Sequence, residues 1–307
     1  MIVGRAAGVT DTGRRRRRNE DAFVCEPPLF AIADGMGGAQ AGELASRLAA
    51  AAIEEAGAAV GDAEAVAAAV RAANARIFER SLTDPAVAGM GTTATVVLVD
   101  EHAGTLTIAH VGDSRGYRYR DGVLEQLTTD HSLVAELVRT GRLTEAEAAV
   151  HPHRSVITRA LGTEAEVEVD TRTLELAPGD LILLCSDGLS AMVRDDEIAR
   201  LLGESDLDPY QAAETLVRAA NAAGGEDNVT VVVFEVIEGT PRTTPPAAPE
   251  APPDAPPIAG PDDVTTESAL DGAQRHGAGK GSRWPALLVI LVILAVAALA
   301  LWWSFLR

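Results

Sequence analysis

Apolar residues in this chain follow two rhythms. Short unbroken runs such as Phe30-Ala31-Ile32-Ala33 and Leu181-Ile182-Leu183-Leu184-Cys185 read as buried strands. Residues 92–99 and 229–236 are β-branched and strand-like as well. Tyr117-Arg118-Tyr119-Arg120 alternates, and Asp121-Gly122 followed by Val123-Leu124 predicts a two-residue hairpin turn. The second rhythm is helical. Alanine-rich stretches over residues 42–56, 63–80 and 211–223 have helical propensity and period, and Asp195-Asp196-Glu197 suits the acidic first turn of a further helix. Short strands mixed with long helices imply an α+β layered domain.

The pattern stops near Glu238. Residues 1–238 are long enough for one large core. Residues 239–283 are rich in Pro, Ala, Asp and Gly, with too few large apolar side chains to fold, and read as a disordered linker. From Trp284-Pro285 the chain is apolar through Leu301 and then reaches Trp302-Trp303, so residues 284–304 are expected to form a transmembrane helix with tryptophan at both interfaces. Lys280 and Arg283 favour a cytoplasmic linker side, although Arg307 weakens the contrast. No apolar h-region follows Met1-Ile2-Val3, so no secretory signal is expected. The expected location is the cell membrane, single-pass, with residues 1–238 in the cytoplasm. Lys and Arg number 26 against 45 Asp and Glu, a net charge of −19 that argues against nucleic-acid binding. Cys25 and Cys185 are the only cysteines and fit a reducing compartment.

Four stretches join such runs to an aspartate flanked by glycine. They are Phe30-Ala31-Ile32-Ala33-Asp34-Gly35, Ala109-His110-Val111-Gly112-Asp113, Leu183-Leu184-Cys185-Ser186-Asp187-Gly188 and Gly224-Gly225-Glu226-Asp227-Asn228. Each is expected to hold its carboxylate at the end of a buried strand, near the rim of a sheet. Carboxylates converging from distant segments repel one another and resist ionising unless a cation neutralises them. Hard divalent ions with oxygen ligands, Mg²⁺ or Mn²⁺, are the natural counterweight. The histidines and cysteines show no His-Xaa-Xaa-Xaa-His or Cys-Xaa-Xaa-Cys spacing of the kind zinc uses.

The company of these aspartates carries a resemblance. In order, the chain reads Thr10-Asp11-Thr12-Gly13, Asn19-Glu20-Asp21-Ala22, Asp34-Gly35-Met36-Gly37-Gly38 and Gly89-Met90-Gly91-Thr92-Thr93. It continues with Val111-Gly112-Asp113-Ser114-Arg115, Thr129-Asp130-His131-Ser132, Arg159-Ala160-Leu161-Gly162, Ser186-Asp187-Gly188-Leu189 and Glu226-Asp227-Asn228-Val229-Thr230. Over about residues 3–238 this resembles the bacterial form of the PPM, or type 2C, metal-dependent serine/threonine protein phosphatases.

The resemblance implies a four-layer α-β-β-α sandwich, with two mainly antiparallel sheets inside and the metals at one end. It implies Mn²⁺ or Mg²⁺, two ions at the catalytic centre and a third, weaker site in bacterial members. Asp34 corresponds to the carboxylate bridging the pair, and the Gly35 carbonyl to a ligand of the second ion. Asp187 and Asp227 correspond to ligands of the first, while Glu20 and Asp21 orient waters around the ions. Asp113 corresponds to a ligand of the third ion, which Ser155 approaches from a mobile segment. Arg16, five residues after Asp11 and five before Asp21, corresponds to the arginine that binds substrate phosphate, a role its forked donors suit. The other four arginines of the run Arg14 to Arg18 read as a solvated charge run able to attract acidic partners. Met36 stands where eukaryotic members often carry a histidine acid, so protonation of the leaving group passes to a water of the metal centre or another group.

The implied reaction is hydrolysis of phosphoserine and phosphothreonine in proteins by metal-activated water, without a covalent phosphoenzyme. A cysteine-based mechanism does not fit, because Cys185 lies in an apolar run where a thiol behaves as a small buried hydrophobe. Expected partners are phosphoproteins and a membrane serine/threonine kinase whose action the enzyme opposes. The alternative is a non-catalytic phosphoprotein-binding scaffold of the same fold. Loss of Asp34, Asp187 or Asp227 would favour it, and all three are present.

Overall fold

The computed structural model describes residues 1–239, except 39, 58–61 and 205–207. The linker beyond residue 239 and the expected membrane helix at 284–304 lie outside the described residues. Among those described, no helix is long and apolar enough to cross a membrane.

The chain opens with β1 (Ile2–Asp11), β2 (Asp21–Glu26) and β3 (Leu29–Met36), followed by two long helices, α1 (Ala41–Gly57) and α2 (Ala63–Thr83). A run of strands comes next: β4 (Gly91–Thr92), β5 (Ala94–Asp100), β6 (Thr105–Val111), β7 (Arg115–Arg120) and β8 (Val123–Gln126). Short helices α3 (Leu133–Arg139) and α4 (Glu145–Ala149) lead to β9 (Asp170–Glu175) and β10 (Leu181–Cys185). The helical turn α5 (Asp187–Ser190), α6 (Asp195–Glu204), α7 (Pro209–Ala222) and β11 (Val229–Ile237) complete the fold.

The strands form two antiparallel sheets, ordered β1-β11-β10-β7-β8 and β2-β3-β5-β6-β9, with β4 paired to β3. Side-chain alternation explains the four layers. Along β10, Leu181, Leu183 and Cys185 pack outward with α6 and α7, while Ile182 and Leu184 point between the sheets. Along β3, Leu29, Ala31 and Ala33 meet Ala45, Ala49 and Ile53 of α1 and Val70, Ala73 and Ile77 of α2. Phe30 and Ile32 face the other way, and Phe30 stacks on Phe234 with ring centroids 4.0 Å apart. Strands covered on both faces have no solvated side, which is why these runs are continuously apolar despite antiparallel pairing. Alanine-rich helix faces let α1 and α2 lie close against the sheet. Asp62 and Asp208 cap α2 and α7, accepting the Ala65 and Gln211 amides at 2.9 Å each.

The expected four-layer α-β-β-α sandwich is therefore present in residues 1–239. At Asp121-Gly122 the chain makes the expected turn between β7 and β8, with φ of +52° and +81° as a primed hairpin turn requires. Three expectations need correction. Asp34 and Gly35 do not end a strand: β3 runs through both to Met36, and Gly35 pairs with Thr92. The strand expected over 92–99 is split at Thr93, whose N–H donates to the Asp34 carbonyl at 2.9 Å instead of continuing the ladder. Asp227 precedes its strand rather than ending one, because residues 224–228 form the turn between α7 and β11.

Candidate metal centre and its arginine rim

One end of the sandwich gathers the acidic side chains. The β2–β3 register sets Asp21 directly across from Asp34. Thr92 and Thr93 together fix the Asp34 backbone, since the Thr93 hydroxyl accepts the Asp34 N–H at 2.9 Å while the Thr92 hydroxyl donates to the Asp34 carbonyl at 2.8 Å. The same Thr93 hydroxyl meets the Ser114 hydroxyl at 2.7 Å, tying the Asp113 segment to this strand pair. Asp187 is the first residue of α5, immediately beyond β10. Asp227 is held by its neighbour, whose backbone N–H donates to Asp227 Oδ1 at 2.8 Å.

Electrostatics mark this end as a basin short of positive charge. Burial, then the charges of Asp21, Asp187, Asp113 and Asp227, holds the Asp34 carboxyl well above the usual carboxylate range. Burial pushes Asp21 up to about 7, against hydrogen bonds from the Thr230 and Ser186 hydroxyls at 2.6 and 2.9 Å. Burial and then Asp187 push Asp113 up to about 8, and burial and then Asp227 push Asp187 up to about 6. Burial raises Glu20 as well, against the opposing pull of Arg16. Within this cluster, Asp21 Oδ1, Asp113 Oδ1 and Asp187 Oδ1 are buried without any hydrogen-bond partner. Buried carboxylate oxygens left in that condition are costly, and a bound cation removes the cost.

The donor set fits hard divalent ions. Every candidate donor is oxygen, and half-buried Asp21, Asp34, Asp187 and Asp227 leave the mouth of the basin open to water. Among the described residues no three His, Cys, Asp or Glu side chains form a ready-made cage. The all-oxygen donor set is the chemistry that Mg²⁺ and Mn²⁺ take, and both ions keep several waters beside few protein ligands. Gly35 sits where no side chain is possible: an added Cβ would lie 2.1 Å from the Gly42 carbonyl oxygen. Its backbone is thereby packed against the start of α1, beside the Asp34 carboxyl.

The structure thus brings Asp21, Asp34, Asp113, Asp187 and Asp227 together, with Glu20 at the margin. Arg16 reaches the same place. Its guanidinium donates to Asp227 Oδ2 at 2.6 Å, so the residue expected to hold phosphate is paired with an expected metal ligand. Ser155 is exposed and shares with Asp113 and Asp187 the lining of a cleft of about 830 Å³ between the α3–α4 segment and α5–α6. His131 precedes the α3 cap, and its Nδ1 accepts the Gly112 N–H at 3.0 Å, bracing the Asp113 turn.

Several further residues of the same motifs hold the basin in place. Asn228 binds three backbone groups: its Oδ1 accepts the Glu20 N–H at 2.8 Å, and its Nδ2 donates to the Thr12 and Arg18 carbonyls at 2.9 Å each. Ser186 and Thr230 fix Asp21. Arg115 forms a two-pronged pair with Asp130, with contacts of 2.8 to 3.1 Å, and donates to the Tyr117 hydroxyl at 3.0 Å. The strand period at 228 and 230 was the available signal for two of these, since alternate residues share a face.

A family model for protein phosphatase 2C matches residues 8–229, so the chain belongs to that family. Among its relatives is the serine/threonine protein phosphatase PstP of Mycobacterium tuberculosis, 44% identical over 243 residues. That match covers 77% of this chain and 46% of PstP, so the chain spans about half the length of this relative. The serine/threonine phosphatase stp of Listeria monocytogenes is 40% identical over 238 residues, 74% of this chain and 93% of that protein. A crystal structure of the M. tuberculosis phosphatase superimposes with a TM-score of 0.72 at 41% identity, covering 78% of this chain and 100% of that one. The PstP catalytic domain in complex with two manganese ions gives 0.71 at 41% identity, again over 78% and 100%.

Proposed function

We propose that this chain hydrolyses phosphoserine and phosphothreonine esters in proteins, using water activated at a dinuclear Mn²⁺ or Mg²⁺ centre. The observation that carries this reading is the meeting of Asp21, Asp34, Asp113, Asp187 and Asp227 in one buried basin with three unpartnered carboxylate oxygens. Asp34, Asp187 and Asp227, with the Gly35 carbonyl, would hold the pair, and Asp113 and Ser155 border the place for a third ion. Bound there, the ions supply positive charge for the phosphoryl oxygens and lower the pKa of water towards neutrality.

The remaining work falls to side chains of this protein. Arg16 is half-exposed and single-pronged on Asp227, so it can exchange that contact for two phosphoryl oxygens and orient the ester. Asp21, locked by Ser186 and Thr230, keeps one free oxygen to accept a hydrogen bond from the attacking water. Glu20, at the basin edge with a raised pKa, is placed to take up a proton as the attack proceeds. Met36 occupies the position after Asp34-Gly35 and contributes packing only.

The scaffold reading is disfavoured by the cost of the basin. A module that merely binds phosphoproteins has no use for five clustered, largely desolvated carboxyl groups that repel both one another and a phosphate. Residues 239–283 and 284–304 are proposed to tether the domain to the cytoplasmic face of the membrane, where it opposes a membrane serine/threonine kinase; the apolar run ending in Trp302-Trp303 supports this. Phosphate release from a phosphothreonine peptide, with Mn²⁺ and then with excess EDTA, tests the central proposal. Turnover with Mn²⁺ and none with EDTA is expected; undiminished turnover under full chelation would refute it.

A further inference from the structure

We propose that the loop from Arg14 to Arg18 is a second anion subsite, selecting substrates with carboxylates or another phosphate close to the phosphoresidue; this deepens the phosphatase reading and rests on it. All five arginines are exposed. Arg16 pairs with Asp227 at 2.6 Å, and Arg18 approaches Glu43 at 3.9 Å. Among the described residues, Arg14, Arg15 and Arg17 pair with no carboxylate, in a chain of net charge −19.

An idle surface charge run would sit on a loose loop, whereas this one is fastened along its length. Asn228 grips the Thr12 and Arg18 carbonyls at the two ends, both at 2.9 Å. The Arg14 and Arg15 N–H groups donate to the Gly225 carbonyl at 2.7 and 3.2 Å. Gly13 donates to Asp11 Oδ1 at 2.8 Å, and Asn19 Nδ2 to Thr10 Oγ1 at 2.7 Å. Consecutive guanidinium groups repel one another, so the fixed backbone holds charge that a free loop would spread apart. A cationic surface organised in advance binds an anion at lower ordering cost.

The loop lies against the basin. Gly13 abuts the Asp227 carbonyl, where an added Cβ would lie 2.1 Å from the oxygen, and Arg16 touches the Asp227 side chain. Arg14, Arg15 and Arg17 therefore flank the guanidinium assigned to the scissile phosphate. With about 3.3 Å per extended residue and an arginine reach of roughly 6–7 Å, they meet groups about two to four residues from the phosphoresidue. Guanidinium forks suit both carboxylate and phosphate.

The test uses the full chain with Arg16 intact. The variant Arg14→Gln/Arg15→Gln/Arg17→Gln and its all-lysine counterpart are compared with the wild type on phosphothreonine peptides flanked by neutral residues, by Glu and Asp, or by a second phosphothreonine. At low salt the wild type is expected to show a KM roughly fivefold lower for either anionic peptide than for the neutral one. The glutamine variant loses that preference with kcat and p-nitrophenyl phosphate turnover unchanged. The lysine variant keeps it for carboxylates and loses part of it for the second phosphate. In parallel, fluorescence anisotropy with an unphosphorylated acidic peptide reads the subsite without catalysis, and a roughly fivefold weaker Kd is expected for the glutamine variant. Equal KM ratios and equal Kd in wild type and glutamine variant overturn the subsite. A protein inactive on every ester yet discriminating in anisotropy would instead refute the phosphatase reading alone.

Discussion

Asp21 and Asp34 face each other across the β2–β3 pair, two half-buried carboxyl groups at one register position at the end of the sandwich. Unfolded aspartates titrate near 3.9. In the fold Asp187 moves up to about 6, Asp21 to about 7 and Asp113 to about 8. Between those limits the folded chain binds more protons than the unfolded one, so these groups stabilise the metal-free protein below about pH 4 and lose that contribution as the pH rises to about 8. The thermal midpoint in EDTA should therefore fall steadily over this range, and saturating Mn²⁺ should flatten the slope by neutralising the basin. Calorimetry across the range with and without Mn²⁺ checks this; a metal-free midpoint that climbs with pH would contradict it.

Asp187→Asn separates catalysis from folding. The amide keeps the shape at the head of α5 but removes one negative charge from a basin that has too many. Turnover with Mn²⁺ should drop by roughly 10²–10³, the scale for losing one preorganised electrostatic group. The midpoint in EDTA should hold or rise, because the lost charge was uncompensated. Kinetics and melting on the same preparation check both halves, and normal turnover would remove Asp187 from the site.

Much of this site was legible because chemistry and architecture share the same letters. Apolar runs buried on both faces announced β3, β10 and β11, and the aspartates adjoining them are the ones that converge. What the chain did not announce is telling. β1 carries only one fully buried residue, Val3, in a run of small and polar positions, so neither strand period shows. β9 is exposed along most of its length and is defined by pairing with β6 rather than by burial. Likewise, nothing local in Asp227-Asn228 says that its amide will reach Thr12 and Arg18, because those partners are more than 200 residues away and known only from the fold.

Asn228 offers the sharpest test of that long-range fastening. Asn228→Ala removes three hydrogen bonds from a buried side chain, leaving the Glu20 N–H and the Thr12 and Arg18 carbonyls unsatisfied. A loss of roughly 2–4 kcal/mol of stability follows from about 1 kcal/mol per bond plus the desolvation of stranded groups. Because the freed loop carries Arg16, KM for a phosphopeptide should rise more than kcat falls. Denaturant titration and steady-state kinetics on the variant check the pair of effects; lost stability with unchanged KM would show that the loop holds its shape without this amide.

The cores described here close within residues 1–239: each sheet face is covered by a helical layer or by the other sheet, and β11 ends at Ile237 with its neighbours β1 and β10 already paired. Among the described residues past Asn228, Thr230 is the one that hydrogen-bonds a carboxylate of the basin. A chain ending at residue 238 should therefore fold, stay in the soluble fraction and turn over a phosphothreonine peptide with the kcat of the full chain. The full chain should sediment with membranes, resist extraction by high salt and be released by detergent, because an apolar span is held by burial of its surface rather than by charge. Fractionation followed by assay of each fraction reads both outcomes. A full chain recovered in the soluble fraction, or a truncated one still bound to membranes, would show that residues 284–304 are not the anchor.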